Sequence, residues 1–285
     1  MKKDFTFITS KSNLIRGTIF YNEQPENLPC VIIIHGFKGF KDWGYVPYFA
    51  KELAENGFFV LTFNFSHNGI GENPFEFTEL EKFANNTISL EVSELNEIID
   101  FYNNGGFGFD GNNNSIGLIG HSRGGAIAII QTKESIEKNK NINVKALALW
   151  GTIATFERYT KHQVELWKKQ GYIEVVNTRT NQVMKLNKIL LEDYEQNRER
   201  FNLLNCISKI TIPILIVHGE QDLTVPLSEA YQLYEASNKN LTELVVIPAA
   251  GHTFNIVHPY TGSNPQFEQV KSRTIDFLIK HLSKS

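Results

Sequence analysis

The pentapeptide Gly120-His121-Ser122-Arg123-Gly124 carries more structural information than any other part of this chain. It follows an apolar run at residues 115–119 and precedes a run with helical composition at residues 125–130. This G-x-S-x-G pattern between a strand and a helix is typical of a nucleophile elbow, a sharp turn that exposes a serine hydroxyl. The turn needs glycines because its backbone is strained and the strand and helix approach closely. The pattern predicts that Ser122 is a nucleophile; the alternative is a glycine-rich turn that happens to contain a serine.

Two residues further along the chain have the types and the order of a catalytic triad. Asp222 comes shortly after the apolar run 213–217, and His252 follows the apolar run 244–247 across a short loop. A serine hydroxyl needs a general base, and the base needs an acid that orients it. In folds with this elbow the chain order is serine, acid, histidine. We therefore expect Ser122, Asp222 and His252 at one edge of a parallel sheet. The alternatives are that the aspartate only caps the next helix and that the histidine is structural.

A third apolar run predicts an oxyanion hole. Residues 31–34 form this run, which ends at His35-Gly36-Phe37. Such a turn presents a main-chain N–H to the negative charge that develops on a carbonyl oxygen during acyl transfer. We expect the two donors to be the N–H groups of Phe37 and of Arg123, the residue after the nucleophile. His35 is expected to hold the turn in place and not to contact substrate.

Strands alternate with helices along most of the chain after an opening hairpin. Strands are predicted at residues 4–9, 14–21, 30–34, 58–65, 115–119, 145–150, 212–217 and 244–247. Helices are predicted at residues 48–56, 87–102, 125–130, 227–236 and 266–282. This order predicts the α/β class: a mostly parallel sheet of about eight strands with helices on both faces.

One segment interrupts this alternation. After Trp150, two helical stretches flank a predicted hairpin of residues 172–176 and 183–186. Because the insertion begins at the carboxyl end of a strand, at the sheet edge where the serine is expected, we expect it to lie over the serine as a small cap. The predicted division is a first core part at 1–151, a cap at 152–206 and a second core part at 207–285. Its aromatic side chains either line an acyl pocket or pack the cap onto the core: Phe156, Tyr159, Trp167, Tyr172 and Tyr194.

Composition indicates an ordinary globular enzyme and gives no sign of nucleic-acid or membrane binding. Of the 285 residues, 41% are hydrophobic and 21% charged, and the net charge is −3. No run has membrane-spanning length, and residues 1–5 lack an apolar leader core. Two scattered cysteines, Cys30 and Cys206, are typical of a reducing compartment. We expect a cytoplasmic protein and leave open whether it is a monomer or a homodimer.

No cofactor and no metal site are predicted. Residues 106–111 match G-x-G-x-x-G, but they precede a strand, whereas a dinucleotide-binding loop follows a strand and opens a helix. No group of His, Cys and Asp has the spacing of a metal site. The expected partner is a small-molecule ester substrate.

These motifs together resemble the α/β-hydrolase superfamily, and they span nearly the whole chain. The matching stretches are His35-Gly36-Phe37, Gly120-His121-Ser122-Arg123-Gly124-Gly125, residues 218–226 and Gly251-His252-Thr253-Phe254. Within the superfamily the chain resembles the bacterial intracellular carboxylesterases that include feruloyl and cinnamoyl esterases. That resemblance implies a serine esterase that acts through an acyl-enzyme on hydroxycinnamoyl or other small acyl esters. Arg123 is a departure, since the feruloyl group leads us to expect glutamine there.

Two other functions stay open at this point. A peptidase or amidase uses the same triad, although serine peptidases of this fold usually carry a propeller or a long N-terminal domain. A hydrolase-fold receptor or binding protein would not be an enzyme, and an intact triad with both oxyanion elements argues against it.

Overall fold

Ten strands form in the residues that the structure, a computed structural model, describes: 1–22, 24–111, 115–138, 143–177 and 181–282. They are β1 (Lys2–Ile8), β2 (Leu14–Phe20), β3 (Cys30–Ile34), β4 (Phe59–Asn64), β5 (Ile116–His121), β6 (Val144–Trp150), β7 (Tyr172–Asn177), β8 (Gln182–Asn187), β9 (Ile214–Gly219) and β10 (Thr242–Ile247). Eight of them make one sheet in the order β1-β2-β4-β3-β5-β6-β9-β10. Pairs from β4 to β10 are parallel, whereas β1 with β2 and β2 with β4 are antiparallel. The predicted mostly parallel sheet is confirmed.

Helices cover both faces of this sheet, as predicted. They are α1 (Val46–Glu55), α2 (Leu80–Ala84), α3 (Ile88–Asn103), α4 (Arg123–Glu137), α5 (Lys161–Gln170), α6 (Lys188–Gln196), α7 (Leu203–Ile207), α8 (Leu227–Ala236) and α9 (Pro265–Leu282), with a 3-10 turn at Pro25–Asn27. The cores beside the sheet show that α1 and α9 pack on one face and α3, α4 and α8 on the other. None of the described helices is long and apolar enough to cross a bilayer.

The strand β3 shows why the central strands are apolar at nearly every position. Ile32 and Ile34 pack into the core on the side of α3 and α4, whereas Val31 and Ile33 pack into the core on the side of α1. Successive side chains of a strand point to opposite faces, so a strand covered on both faces has no polar alternation. The polar residues that follow β3, β5, β6 and β9 are therefore in loops at the carboxyl edge of the sheet.

The segment between β6 and β9 includes a second, separate sheet. β7 and β8 pair antiparallel with Tyr172 opposite Asn187, so the predicted hairpin is present; residues 178–180 of its turn lie outside the described residues. Helices α5 and α6 flank the hairpin. Gln182 Nε2 donates to the carbonyl oxygen of Phe77 at 3.0 Å, which attaches the hairpin to a loop of the core.

Candidate active site

Ser122 lies on a tight turn between β5 and α4. Its φ of 55° and ψ of −123° are a strained conformation for a residue other than glycine, and its N–H donates to the carbonyl oxygen of Trp150 at 2.8 Å. A Cβ on Gly120 would lie 2.4 Å from the Cα of Gly125, and one on Gly124 would lie 2.4 Å from the carbonyl oxygen of Ile34. Only glycine permits this approach of strand and helix. The local geometry is that of a nucleophile elbow.

Asp222 and His252 are in direct contact at the same edge. The Nδ1–H of His252 donates to Asp222 Oδ2 at 2.7 Å. The other carboxylate oxygen accepts from the N–H groups of Thr224 and Val225, both at 2.9 Å. Burial raises the pKa of the Asp222 carboxyl, but the hydrogen bond and charge of His252 and the N–H of Val225 outweigh this effect and leave the pKa below its ordinary value. The carboxylate is therefore ionised at neutral pH and orients the imidazole.

Ser122 and His252 line one cavity with a volume of about 670 Å³. Within the described residues, the Ser122 hydroxyl makes no hydrogen bond to His252, so the structure joins the aspartate and the histidine directly but not the histidine and the serine. Hydrogen bonds between a nucleophile and its base commonly shorten only when substrate is bound. Ser122 and His252 are thus related by lining the same cavity and not by a direct hydrogen bond.

The turn after β3 packs directly against the elbow. A Cβ on Gly36 would lie 3.0 Å from the Cβ of Ser122 and 3.6 Å from the main-chain nitrogen of Arg123. In the part of the chain that the structure describes, neither Phe37 N–H nor Arg123 N–H donates to a protein acceptor. Two uncommitted N–H groups beside a candidate nucleophile are the arrangement that binds an oxyanion.

His35 holds the base of this turn. The N–H of Phe65 donates to His35 Nε2 at 3.2 Å, which leaves the proton on Nδ1, and Nδ1 donates to the carbonyl oxygen of Gly36 at 2.9 Å. Burial lowers the pKa of His35 to about 4, with the hydrogen bond to Gly36 opposing the shift and the charge of Arg123 adding to it. These contacts suit the structural role expected for this histidine.

The motif position before the serine has a function that sequence reasoning did not identify. His121 Nε2–H donates to the main-chain carbonyl of His252 at 2.9 Å, and the two rings are 4.7 Å apart. Burial and, to a smaller extent, the charge of the neighbouring His252 lower the pKa of His121 to about 3, while its hydrogen bond to the His252 carbonyl opposes the shift. A neutral imidazole at this position connects the elbow to the histidine loop. Nothing in the G-x-S-x-G pattern specifies the residue at this position.

Two further residues surround the Asp222–His252 pair. Gly151 has a φ of 51°, and a Cβ there would lie 3.3 Å from His252 Nδ1 and 3.5 Å from Asp222 Oδ2. The fully buried His218 donates through Nε2 to the carbonyl oxygen of Val225 at 2.8 Å, and this nitrogen is 3.4 Å from Asp222 Oδ2. Despite these histidines, no three His, Cys, Asp or Glu side chains within the described ranges are arranged to hold a metal ion.

Four of the five aromatic residues singled out between β6 and β9 line the cavity: Phe156, Tyr159, Trp167 and Tyr194. The same rings also pack against one another and the core; Tyr159 and Trp167, for example, have centroids 5.0 Å apart at 74°. Tyr172 is not among the lining residues, and its ring lies under Lys185 Nζ at 4.4 Å. Four of these residues therefore do both: each lines the cavity and also packs the insertion against its surroundings.

A buried acid supports the loop that follows β4. Glu94 accepts from the N–H and the hydroxyl of Ser66, the second residue of that loop. Burial raises the pKa of Glu94 to about 7, the hydrogen bonds from Ser66 oppose this shift, and the charges of Glu91 and Glu97 add to it. In an unfolded chain the pKa of this carboxyl is about 4.3. The folded protein therefore holds a proton here that the unfolded chain has already lost.

We expect Glu94→Gln to change how stability depends on pH. In the native chain, the contribution of Glu94 is fully present below about pH 4.3 and is lost as the pH rises to about 7. Relative to the native chain, Glu94→Gln should gain on the order of 2 kcal/mol in free energy of unfolding between about pH 5 and pH 8. Urea unfolding across this range measures the difference, with the exposed Glu55→Gln as control. Parallel stability profiles for Glu94→Gln and the native chain would contradict this expectation.

The sheet order, the elbow turn and the Asp222–His252 pair at one sheet edge define the class of α/β hydrolases. The family model BD-FAE matches residues 19–236, well over half of the chain. The chain belongs to this family, whose members share an esterase domain. It is therefore an esterase-type hydrolase. No curated protein sequence matches it significantly.

Solved structures similar to this chain cover nearly its whole length. Est1E from Butyrivibrio proteoclasticus with ferulic acid bound has a TM-score of 0.72 and 19% identity, covering 98% of this chain and 100% of its own. The α/β hydrolase GrgF from Penicillium sp. sh18 has a TM-score of 0.72 and 18% identity, with 99% of each chain covered. A monoacylglycerol lipase from Paleococcus ferrophilus has a TM-score of 0.66 and 16% identity, with 94% and 99% covered. At these identities the likeness shows the fold alone.

Proposed function

We propose that this protein is a serine carboxylesterase with Ser122 as nucleophile, His252 as general base and Asp222 as the acid that orients it. The observation that carries the proposal is the 2.7 Å hydrogen bond from His252 Nδ1 to Asp222 Oδ2, made by a histidine that shares a cavity wall with the elbow serine. Because Nδ1 carries the proton, Nε2 is the nitrogen that accepts one. The N–H groups of Phe37 and Arg123 are the proposed oxyanion donors.

The reaction has two halves. His252 Nε2 takes the proton of the Ser122 hydroxyl as Oγ attacks the ester carbonyl, and the resulting oxyanion accepts hydrogen bonds from the Phe37 and Arg123 N–H groups. The C–O bond to the alcohol then breaks, and the imidazolium protonates the leaving oxygen. In the second half, His252 takes a proton from water as that water attacks the acyl-enzyme. The acid leaves, and the proton returns to Oγ.

We infer that residues 152–206 act as a cap that shapes the substrate site. Cavity walls from this segment are aromatic and apolar, including Phe156, Tyr159 and Trp167. Aromatic rings favour flat acyl groups, and the similar fold of Est1E is known with ferulic acid bound. Small acyl esters, with hydroxycinnamoyl esters among them, are the substrates that this cavity suits.

An ester and amide panel tests the proposed reaction. The panel contains 4-nitrophenyl acetate, butyrate and palmitate, methyl ferulate, and the 4-nitroanilides of acetate and butyrate. We expect the short esters and methyl ferulate to be hydrolysed, with palmitate and the anilides far slower. Faster cleavage of an anilide than of its matching ester would favour an amidase. Acetate and butyrate turnover without any ferulate turnover would remove the hydroxycinnamoyl part, and no turnover of any ester would contradict the proposal.

The proposed base makes activity depend on pH in one direction. A protonated imidazole accepts no further proton, so kcat/KM should fall as the medium is acidified. His121 and His35, with pKa values of about 3 and about 4, stay neutral above pH 5 and add no step of their own. We expect kcat/KM for 4-nitrophenyl acetate to rise with pH from the acid side and then to level off. A flat profile from pH 5 to pH 9 would exclude His252 as the base.

A further inference from the structure

The charged side chains that line the cavity are all cations. In the part of the chain that the structure describes, these are Lys38, Arg123 and Arg158. The acids that pair with the two arginines, Glu91 and Glu229, are buried and do not line the cavity. A cavity with cations on its wall and acids behind that wall presents positive potential to what enters it.

Arg123 has hydrogen-bonding capacity that the described residues do not use. Its Nε donates to Glu91 Oε2 at 2.8 Å, and the other oxygen of Glu91 accepts from Asn86 Nδ2 at 2.7 Å. Neither Nη atom of Arg123 donates to a described residue, and Nη2 is buried. The residue is 8% exposed and lines the cavity. Nη1 is therefore the guanidinium nitrogen of Arg123 that remains to donate into the cavity, and a carboxylate is a strong acceptor for a guanidinium N–H.

The hydroxyl of a neighbouring tyrosine adds a donor at the same end. Tyr159 lines the cavity, and among the described residues its hydroxyl has no hydrogen-bond partner. Burial raises the pKa of Tyr159, while the charges of Arg123 and Arg158 oppose the shift, so both guanidinium groups act on this hydroxyl. Arg123 Nη1 and the Tyr159 hydroxyl are thus two donors at the cavity wall without an acceptor among the described residues.

We propose that this end of the cavity binds a carboxylate carried by the ester substrate, with Arg123 Nη1 as the principal donor and the Tyr159 hydroxyl beside it. The proposal rests on the proposed function, because the ester must reach Ser122. Its specific content is a preference for anionic esters over neutral esters of the same shape. The carboxylate belongs to either the acid part or the alcohol part of the ester, and the substrates distinguish the two.

Three esters of equal shape test the preference. Monomethyl glutarate ends in a carboxylate, its terminal amide ends in an uncharged group of the same size, and methyl 5-methylhexanoate ends in an isopropyl group. We expect kcat/KM for the carboxylate to exceed that for the amide by about tenfold or more, since hydrogen bonds to a charged partner are markedly stronger than neutral ones. In a second arm, 4-acetoxybutanoate and its amide place the group on the alcohol. Equal rates within both arms, or faster turnover of the neutral esters, would overturn the proposal.

Variants locate the preference at Arg123. Glu91→Gln/Arg123→Gln removes both charges of the buried pair together, which avoids leaving one buried charge uncompensated. Its matched control is Glu134→Gln/Arg200→Gln, since Arg200 pairs with Glu134 at 2.5 Å and neither residue lines the cavity. We expect the ratio of carboxylate to amide turnover to fall to near one in the first double variant and to stay unchanged in the control. An unchanged ratio in both would overturn the assignment to Arg123.

A binding measurement keeps the proposal testable if the double variant fails to fold or if no ester is hydrolysed. Glutarate and glutaramide are titrated against full-length Ser122→Ala by calorimetry, and Tyr159→Phe is added in that background. We expect glutarate to bind at least about tenfold more tightly than glutaramide, and Tyr159→Phe to reduce this difference. Equal binding would contradict the carboxylate site. Failure of the proposed function has another signature: native chain and Ser122→Ala would hydrolyse every ester at the same rate.

Discussion

Ser122→Ala should lower kcat for 4-nitrophenyl acetate by on the order of a millionfold while leaving the fold intact. The Ser122 hydroxyl is the nucleophile of the proposed reaction. It has no hydrogen bond to another described side chain, so its loss should not disturb the structure. A matched control is Ser208→Ala, which removes an exposed serine hydroxyl at the end of α7. Rates are measured at saturating ester with mass-verified protein. A Ser122→Ala variant that keeps even a tenth of the native rate would exclude the serine as nucleophile.

Asp222→Asn should lower kcat by about 10⁴-fold, the second largest effect we expect. The N–H groups of Thr224 and Val225 would hold the amide oxygen of the asparagine, because both now donate to Asp222 Oδ1. The amide NH₂ would then face His252 Nδ1, from which the carboxylate now accepts a hydrogen bond. The imidazole would shift its proton to Nε2, which then has no lone pair for the serine.

Asp100→Asn, an exposed aspartate on α3, is the control for this substitution. Both variants are compared with the native chain by urea unfolding and by kcat. An Asp222→Asn variant with native stability and at least a tenth of the native kcat would show that the carboxylate does not orient the base.

The architecture was predictable because several independent sequence patterns indicate the same elements. β3 is apolar at each of its positions, as a strand covered on both faces must be, and α8 runs from Leu227 to Ala236 as its pattern indicates. α2, five residues from Leu80 to Ala84, was not predicted. A helix of that length shows hardly more than one turn of periodicity, so tertiary packing and not sequence pattern determines it.

The positions of the candidate site residues were predictable for a related reason. Glycines 36, 120 and 124 are needed by close backbone approaches, which also bring the turn after β3 against the elbow. Asp222 and His252 follow β9 and β10, which are parallel neighbours, so their loops leave the same sheet edge side by side. Their 2.7 Å contact follows from this topology.

Other parts of the site needed coordinates. His121 contacts the carbonyl of His252, 131 positions further along the chain, and no local pattern encodes such a partner. Gly151 reads as an ordinary strand-ending glycine until its neighbours, Asp222 and His252, are known. Arg123 keeps an unused donor because Glu91 accepts a hydrogen bond from its Nε only, and the sequence does not specify this side-chain geometry. The sequence located the proposed reacting groups, whereas the structure was required for the groups beside them and for the sign of the charges on the cavity wall.

The most direct test of the central claim is to identify the residue that a fluorophosphonate modifies. The native chain is treated with a fluorophosphonate probe at pH 8, digested and mapped by mass spectrometry. The probe needs an activated serine hydroxyl with an oxyanion site beside it. Our account predicts a single adduct on the elbow peptide at Ser122, with the labelling rate strongly reduced in Asp222→Asn. Absence of an adduct, or an adduct on another serine with Ser122 unmodified, would contradict it.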